Sequence, residues 1–282
     1  MMSTPMIPLD WDSLRGPPPR PRAAHKGDFG HVFVLGGGPG MGGALALSCS
    51  AAYRAGAGLV TAIGHPAAAI YLAAQLPEAT WRDWPASFAD WLPATAVLAV
   101  GPGLGQGLAP HDLLQEIGTM SQPQVWDADA LNILARMGPT LLRSDALRIF
   151  TPHPGEAGRL LGISAAAVRA DREGAVGQLL ARYGGVWVLK GQGTLLGDAT
   201  RRRRCDLGNP GMATGGSGDV LTGLLAGLLA IGMAPWEAAQ VGVCLHARAG
   251  DLAAARLGEE SLLAGDILHA LPDVLQELPR HG

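Results

Sequence analysis

The sequence predicts an α/β fold: a central, mostly parallel sheet with helices on both faces and a helical C-terminal third. Three observations carry that prediction. Short β-rich runs alternate with longer Ala/Leu-rich stretches of helical spacing, the pattern of strands joined by helical crossovers. Of the 282 residues 48% are hydrophobic but only 5% aromatic, a composition that suits close packing of helices on a parallel sheet better than an aromatic-rich β-sandwich. Four glycine-containing turns each follow a predicted strand, where an open parallel sheet gathers its ligand crevice.

Residues 1–24 are predicted to be an extended arm, because Gly16-Pro17-Pro18-Pro19-Arg20-Pro21 removes backbone donors and fixes φ. Residues 25–282 are expected to form a single domain, since neither an internal repeat nor a long polar linker interrupts them. Strands are expected at His31–Leu35, Leu59–Ile63, Ala96–Val100, Gln124–Asp127, Leu147–Thr151 and Val186–Lys190. Helical stretches lie between them at Gly42–Ala55, Ala130–Met137 and Ser164–Tyr183. After Lys190 the pattern becomes an antiparallel hairpin, Thr194–Leu196 and Arg201–Asp206 about a Gly197-Asp198 turn. Arg201 to Arg204 then read as a solvated strand edge that resists aggregation. The chain from Ser217 to Leu278 is helical.

Composition also excludes whole classes of function. The net charge is −3, from 21 basic and 24 acidic residues, and a chain that neutralises many phosphates is usually strongly basic, so no nucleic-acid partner is expected. Cys49, Cys205 and Cys244 lack metal-like spacing and read as small core residues of a reducing compartment. Residues 1–24 lack the apolar stretch of a secretory signal. The longest apolar run, Val220 to Ala234, is shorter than the ~18–20 residues a membrane span needs. A soluble, cytoplasmic protein acting on small molecules is expected, with no membrane partner.

The glycine turns carry the chemistry. They are Gly36-Gly37-Gly38-Pro39-Gly40-Met41-Gly42-Gly43, Gly101-Pro102-Gly103-Leu104-Gly105, Lys190-Gly191-Gln192-Gly193-Thr194, and the long turn from Gly208 to Asp219. Glycine lets the backbone approach a phosphate closely. The first turn departs from a dinucleotide fingerprint, because Met41 replaces the last glycine and no acidic residue follows near position 58. The last is more specific. Gly215-Gly216-Ser217-Gly218 precedes an apolar helix whose first N–H groups lack intrahelical partners and carry partial positive charge, so an anion hole sits beside the carboxylate of Asp219. That pairing suits phosphoryl transfer, with the amides stabilising the moving charge and Asp219 taking a proton from the attacking hydroxyl. Alternatively, Asp219 is a helix-start acid favoured by the dipole.

Gly215-Gly216-Ser217-Gly218-Asp219 before a helix resembles the anion-hole signature of the ribokinase-like superfamily of small-molecule kinases. Further motifs narrow the likeness: His25-Lys26-Gly27-Asp28-Phe29-Gly30-His31, Ala51-Ala52-Tyr53-Arg54-Ala55-Gly56-Ala57-Gly58, Asp127-Ala128-Asp129-Ala130-Leu131-Asn132, Thr151-Pro152-His153-Pro154-Gly155-Glu156, and Asn209-Pro210-Gly211-Met212-Ala213-Thr214. With Lys190 to Thr194, and in this order, they resemble the ADP-dependent NAD(P)H-hydrate dehydratase family from residue 25 to about 270.

The resemblance implies a repair enzyme that phosphorylates the C6 hydroxyl of S-hydrated NADH or NADPH with ADP, then eliminates phosphate, leaving NAD(P)H, AMP and phosphate. It implies Mg2+ as cofactor and a homo-oligomer, a tetramer in particular. It also implies the residue roles. Asp219 contacts the hydrate and acts as base, while Ala44, Gly103 and His153 line the hydrate site. Lys190, Gly191, Gln192, Gly193 and Thr194 hold the nucleotide, with Gly218 against it. In many bacteria the family is fused behind an epimerase domain, for which the 24 residues before the first motif leave no room, so a separate epimerase is the expected functional partner. Metal ligands stay open: Asp127, Asp129 and Asn132 fit a magnesium-linked acidic site, and Asp129 with Asn132 fits a helix cap equally. Glu156 fits a metal-bound water or a plain helix start. A ribokinase-like kinase of a vitamin precursor, such as a hydroxymethylpyrimidine or hydroxyethylthiazole kinase, is the alternative enzyme; the His25-Lys26-Gly27 and His153-Pro154-Gly155-Glu156 segments speak against it. Intact Asp219 speaks against a purely regulatory nucleotide-binding module.

Overall fold

A computed structural model of the chain describes residues 5–88 and 91–279; positions 1–4 of the predicted arm and 280–282 of the predicted domain lie outside the described residues. In chain order the strands are β1 (Ile7–Pro8), β2 (His31–Leu35), β3 (Leu59–Gly64), β4 (Thr80–Asp83), β5 (Ala96–Val100), β6 (Gln124–Trp126), β7 (Arg148–Phe150), β8 (Val186–Leu189), β9 (Thr194–Gly197) and β10 (Arg202–Cys205). The helices are α1 (Gly42–Arg54), α2 (Ala69–Gln75), α3 (Leu108–Ile117), α4 (Ala128–Met137), α5 (Pro154–Leu161), α6 (Ala165–Ala170), α7 (Arg172–Tyr183), α8 (Ser217–Ala230), α9 (Pro235–Leu257) and α10 (Ala264–Glu277).

The strands form one sheet in the order β1-β10-β9-β8-β7-β6-β5-β2-β3-β4. Pairings from β4 across to β8 are parallel, and β9 and β10 add the predicted antiparallel hairpin. Side chains alternate between the two faces. Val32, Val34, Val97, Ala99 and Val188 pack beneath α1, α8, α9 and α10. Phe33, Leu35, Leu98, Trp126, Phe150 and Trp187 pack against α3 to α7. Both faces are thus covered, which is why the strands read as nearly continuous apolar runs. Helix α8 is apolar all round because it lies between the sheet and other helices. Glycine permits that burial: a Cβ at Gly223 would stand 1.9 Å from the Ser48 carbonyl oxygen of α1.

Several expectations are corrected. Residues 5–24 do not stay extended throughout, since Trp11–Ser13 forms a 3-10 turn and Ile7–Pro8 pairs with Arg203 and Arg204. The arginine strand is therefore not the sheet edge; β1 covers it. The stretch Ser164–Tyr183 is two helices, broken at Asp171, whose carboxylate accepts the Gly174 N–H at 2.8 Å and caps the second. Helix α5 starts at Pro154, so Glu156 lies in its first turn. Strand β4 and helices α2 and α3 were not anticipated.

Candidate active site

The four glycine turns converge at the carboxyl ends of the parallel strands, and the first two are laced together. Gly37 and Gly38 donate to the carbonyls of Pro102 and Gly103 at 3.0 and 2.7 Å. Close approach requires glycine here, because a Cβ on Gly36 would meet the Pro102 oxygen at 2.1 Å. At Gly103, which has φ +57°, a Cβ would meet Met41 Cβ at 2.7 Å and Ala44 Cβ at 3.2 Å. The two residues expected to line the hydrate site, Ala44 and Gly103, are thereby neighbours at the start of α1.

The last glycine turn ends at Gly216, whose φ of +92° turns the chain into α8. Two side chains from neighbouring helices hold the first turn of α8. The Ser48 hydroxyl of α1 donates to the Asp219 carbonyl at 2.8 Å, and His246 Nε2 of α9 lies 2.9 Å from the Ser217 carbonyl. Directly beneath Gly218 is a buried ion pair. Lys190 Nζ donates to Asp127 Oδ1 at 2.7 Å, and Thr222 Oγ1 donates to Asp127 Oδ2 at 2.9 Å. A Cβ at Gly218 would stand 3.1 Å from Lys190 Nζ and 3.4 Å from Asp127 Oδ2. Gly218, Asp219, Lys190 and Asp127 thus form one cluster.

Burial and the nearby Asp127 charge push the Asp219 carboxyl up to about 7, against the opposing pull of Lys190. Glu156 is also raised to about 7, chiefly by burial. Burial lowers the Lys190 ammonium, but Asp127, Glu156 and Asp219 together hold it above its ordinary value. An acid poised near neutrality can take up and return a proton at working pH.

His153 is the N-cap of α5. Its Nδ1 accepts from Gly155 N–H at 2.9 Å, and its own N–H donates to Glu156 Oε2 at 2.8 Å. The imidazole is half exposed toward solvent, with a pKa lowered by burial and by Lys190 and Arg159. Glu156 is thus a buried capping-box acid as well as part of the charge cluster. The helix-cap reading of Asp129 and Asn132 is not what the structure shows. Asp129 accepts from Gly105 N–H at 2.8 Å and from Gln106 at 2.9 Å, tying α4 to the second glycine turn. Asn132 accepts from Arg159 at 2.7 Å. Among the described residues, no three His, Cys, Asp or Glu side chains are gathered to hold a metal ion.

Of the nucleotide loop, Gln192 and Gly193 border a cavity of about 530 Å³ that Arg172, Arg204 and Asp206 also line. Arg172 supports the loop by donating to the carbonyls of Gln192 and Leu189. The Thr194 hydroxyl turns inward to the Gly191 carbonyl at 3.0 Å. Lys190, expected to hold the nucleotide, donates to Asp127 from beneath Gly218. The sequence reading missed Ser48, Thr222 and His246, whose only signal is a polar side chain on an otherwise apolar helical stretch. It also missed Ala128, which at φ +49° is the one non-glycine in the left-handed region among the described residues and sets the backbone between Asp127 and Asp129.

A family model described as NAD(P)H-hydrate dehydratase matches residues 32–273. The chain is 45% identical over 260 residues to a bifunctional NAD(P)H-hydrate repair enzyme of Vibrio cholerae, covering 92% of this chain and 52% of that protein. It therefore spans about half the length of such bifunctional relatives. An ADP-dependent (S)-NAD(P)H-hydrate dehydratase of Neisseria meningitidis is 42% identical, with 89% of this chain and 86% of the relative covered. Among solved structures, the ADP/ATP-dependent NAD(P)H-hydrate dehydratase of Bacillus subtilis, co-crystallised with ATP and Mg2+, superposes with a TM-score of 0.83 at 28% identity, over 92% of this chain and 94% of that one. A ribokinase-like superfamily protein of Enterococcus faecalis also gives 0.83 at 28% identity, over 98% and 97% of the two chains. With its mostly parallel sheet, its glycine turn before α8 and this match over most of its length, the chain belongs to the NAD(P)H-hydrate dehydratase family of the ribokinase-like fold.

Proposed function

We propose that the chain is an ADP-dependent (S)-NAD(P)H-hydrate dehydratase, acting through one domain that begins at residue 25. The observation that carries this reading is the half-buried carboxyl of Asp219, poised near 7 on the first turn of α8 beside the amides of Gly215, Gly216 and Gly218. The Neisseria relative is named for the same reaction.

In the first step the C6 hydroxyl of the hydrate attacks the terminal phosphoryl group of ADP. The new bond joins that oxygen to phosphorus, the bond to the leaving AMP oxygen breaks, and Asp219 takes the hydroxyl proton. Amides at the start of α8 face the charge that moves between the two oxygens. In the second step the C6–O bond breaks with release of phosphate, and loss of a ring proton restores the dihydronicotinamide. Ala44, Gly103 and His153 are assigned to the hydrate. Gly191, Gln192, Gly193, Thr194 and Gly218 are assigned to the nucleotide. Lys190 is assigned to the nucleotide as well, from its place beside Asp127 under Gly218.

Magnesium fits this site as an ion carried by the donor. Mg2+ commonly keeps several waters and binds through substrate phosphates rather than an all-protein cage, which agrees with the lack of a three-ligand cluster among the described residues. Bound there, the ion would supply charge neutralisation on the donor phosphates, while binding and proton transfer fall to the residues named above. No helix among the described residues is long and apolar enough to cross a membrane, and a cytoplasmic location is part of the proposal. The named bifunctional relatives support pairing with a separate epimerase, and a homotetramer is the proposed assembly.

The test is optical. Hydrated NADH, ADP and magnesium are mixed with the purified chain, and the near-ultraviolet band of reduced nicotinamide is followed. A mixture of epimers should be converted in part and completed on addition of an epimerase. No return of the band with either ADP or ATP would refute the function. A rate with ATP at least equal to that with ADP would refute the donor alone.

A further inference from the structure

Helix α9 is apolar and buried from Ala238 to Leu245 apart from Gln240, and His246 continues that buried stretch. An imidazole there loses most of its hydration, which the packed helix does not return. Its polar contact is with the start of α8: Nε2 lies 2.9 Å from the Ser217 carbonyl and 3.3 Å from the Ser217 hydroxyl. A carbonyl oxygen only accepts, so Nε2 carries the proton and donates it. Burial and the nearby Lys190 charge lower the imidazole to about 4, so the ring stays neutral near pH 7 and does not exchange protons with the reaction.

What that hydrogen bond does follows from peptide geometry. The carbonyl of Ser217 and the N–H of Gly218 belong to one planar trans peptide and point in opposite directions. Fixing the oxygen toward α9 fixes the Gly218 N–H the other way, away from α9. Donation to the oxygen also polarises the same peptide and strengthens its N–H as a donor. On the far side of α8, Ser48 holds the Asp219 carbonyl in the same manner at 2.8 Å. The turn carrying both the anion hole and the base is thus clamped from two helices.

We infer that His246 is a positioning residue for phosphoryl transfer, aiming the Gly218 amide at the transferring group through the Ser217 peptide. The inference rests on the anion-hole role proposed above. It adds a residue that touches neither nucleotide nor hydrate, and a neutral hydrogen-bond role in place of acid–base chemistry.

The test compares His246→Leu, which fills the space without a donor, with His246→Gln, whose amide can reach the same carbonyl. The kcat of the leucine variant is expected to fall roughly ten- to hundredfold, the scale of a misplaced catalytic group, while the KM for ADP changes less than about threefold. The glutamine variant is expected to recover most of that loss at unchanged thermal stability relative to leucine. Wild-type kcat in a folded leucine variant, or equal loss in both variants, would overturn the inference. Should the leucine variant fail to fold, the glutamine variant decides, because a folded glutamine protein with tenfold lower kcat also overturns it. Nitrogen NMR of the wild-type imidazole is independent of turnover. A ring protonated at Nε2 alone and not titrating between pH 5 and pH 8 (roughly the range over which an ordinary histidine changes charge) supports the inference; an ordinary titration or the other tautomer refutes it. An inactive wild type showing the supported NMR signature would refute the proposed function while leaving His246 as the clamp.

Discussion

Replacing Asp219 by asparagine should cost turnover and raise stability, in a pH-dependent way that can be worked from the structure. The folded carboxyl is raised from 3.8 to about 7, with burial the largest cause and Asp127 the next. A carboxyl raised on folding contributes its full stability at low pH and loses it as pH climbs through the window from 3.8 to about 7. Asparagine has the shape without that titration. Relative to wild type, Asp219→Asn should therefore gain about 2–3 kcal/mol between pH 5 and pH 8, worth roughly 5–10 °C in Tm for a chain of this size. Glu156, also raised to about 7, is present in both proteins and cancels in the comparison. Thermal melts at the two pH values measure the difference directly.

The same substitution removes the proton acceptor, so kcat should fall by about 10²–10⁴ while ADP still binds. In the wild type kcat/KM should rise with pH toward a plateau above about 7, as the base ionises. Turnover is followed by the return of the reduced-nicotinamide band, and ADP affinity by calorimetry. Near-wild-type turnover would reduce Asp219 to a helix-start acid. A stability difference that did not grow with pH would show that the carboxyl is not held protonated by its surroundings.

Three further outcomes are expected. Lys190→Ala should lower stability by about 3–5 kcal/mol, since it strands Asp127 as a buried unpaired charge, and the Lys190→Ala/Asp127→Ala double variant should lose much less than the sum of the singles in a denaturation cycle; additive losses would break the assignment. Gly223→Ala should destabilise by about 1–3 kcal/mol and slow turnover, because its Cβ must push away the Ser48 carbonyl that stands 1.9 Å from it and so shift α8 against α1; an unchanged Tm would contradict the packing. Ala128→Gly should leave Tm equal or raise it by the equivalent of about 1 kcal/mol, because glycine accepts φ +49° without strain; a marked fall in Tm would mean that the methyl group, buried against α4's neighbours, outweighs the backbone.

The parallel sheet was legible because strands covered on both faces are short apolar runs, and helices between them keep a separate period. Boundaries failed where one polar side chain reset the backbone, as Asp171 does between α6 and α7. Strand β4 escaped because Thr80–Asp83 is an exposed edge with little apolar content, and β1 because a two-residue pairing has no period to detect. In the site, glycines and Asp219 were legible through their spacing. Ser48, Thr222 and His246 were not, since what singles them out is a partner 171, 95 and 29 residues away in sequence.

Lys190 shows why residue type in a loop motif does not settle its role. A lysine at a strand end before Gly191-Gln192-Gly193 reads as a nucleotide ligand, and its ammonium lies beneath Gly218. Yet the structure sets it against Asp127, with Glu156 and Asp219 also contributing to its raised pKa. One cation among three carboxyls cannot neutralise them all in a buried place. Lys190 is engaged by Asp127 at 2.7 Å, and Asp219 and Glu156 are left raised to about 7. The pair lies under Gly218 and, after burial, its two opposed charges act on the proton affinity of Asp219. A second cation placed there, for instance by Gly218→Lys, would lower Asp219 toward an ordinary carboxyl. It would remove the poise on which proton transfer at neutral pH depends.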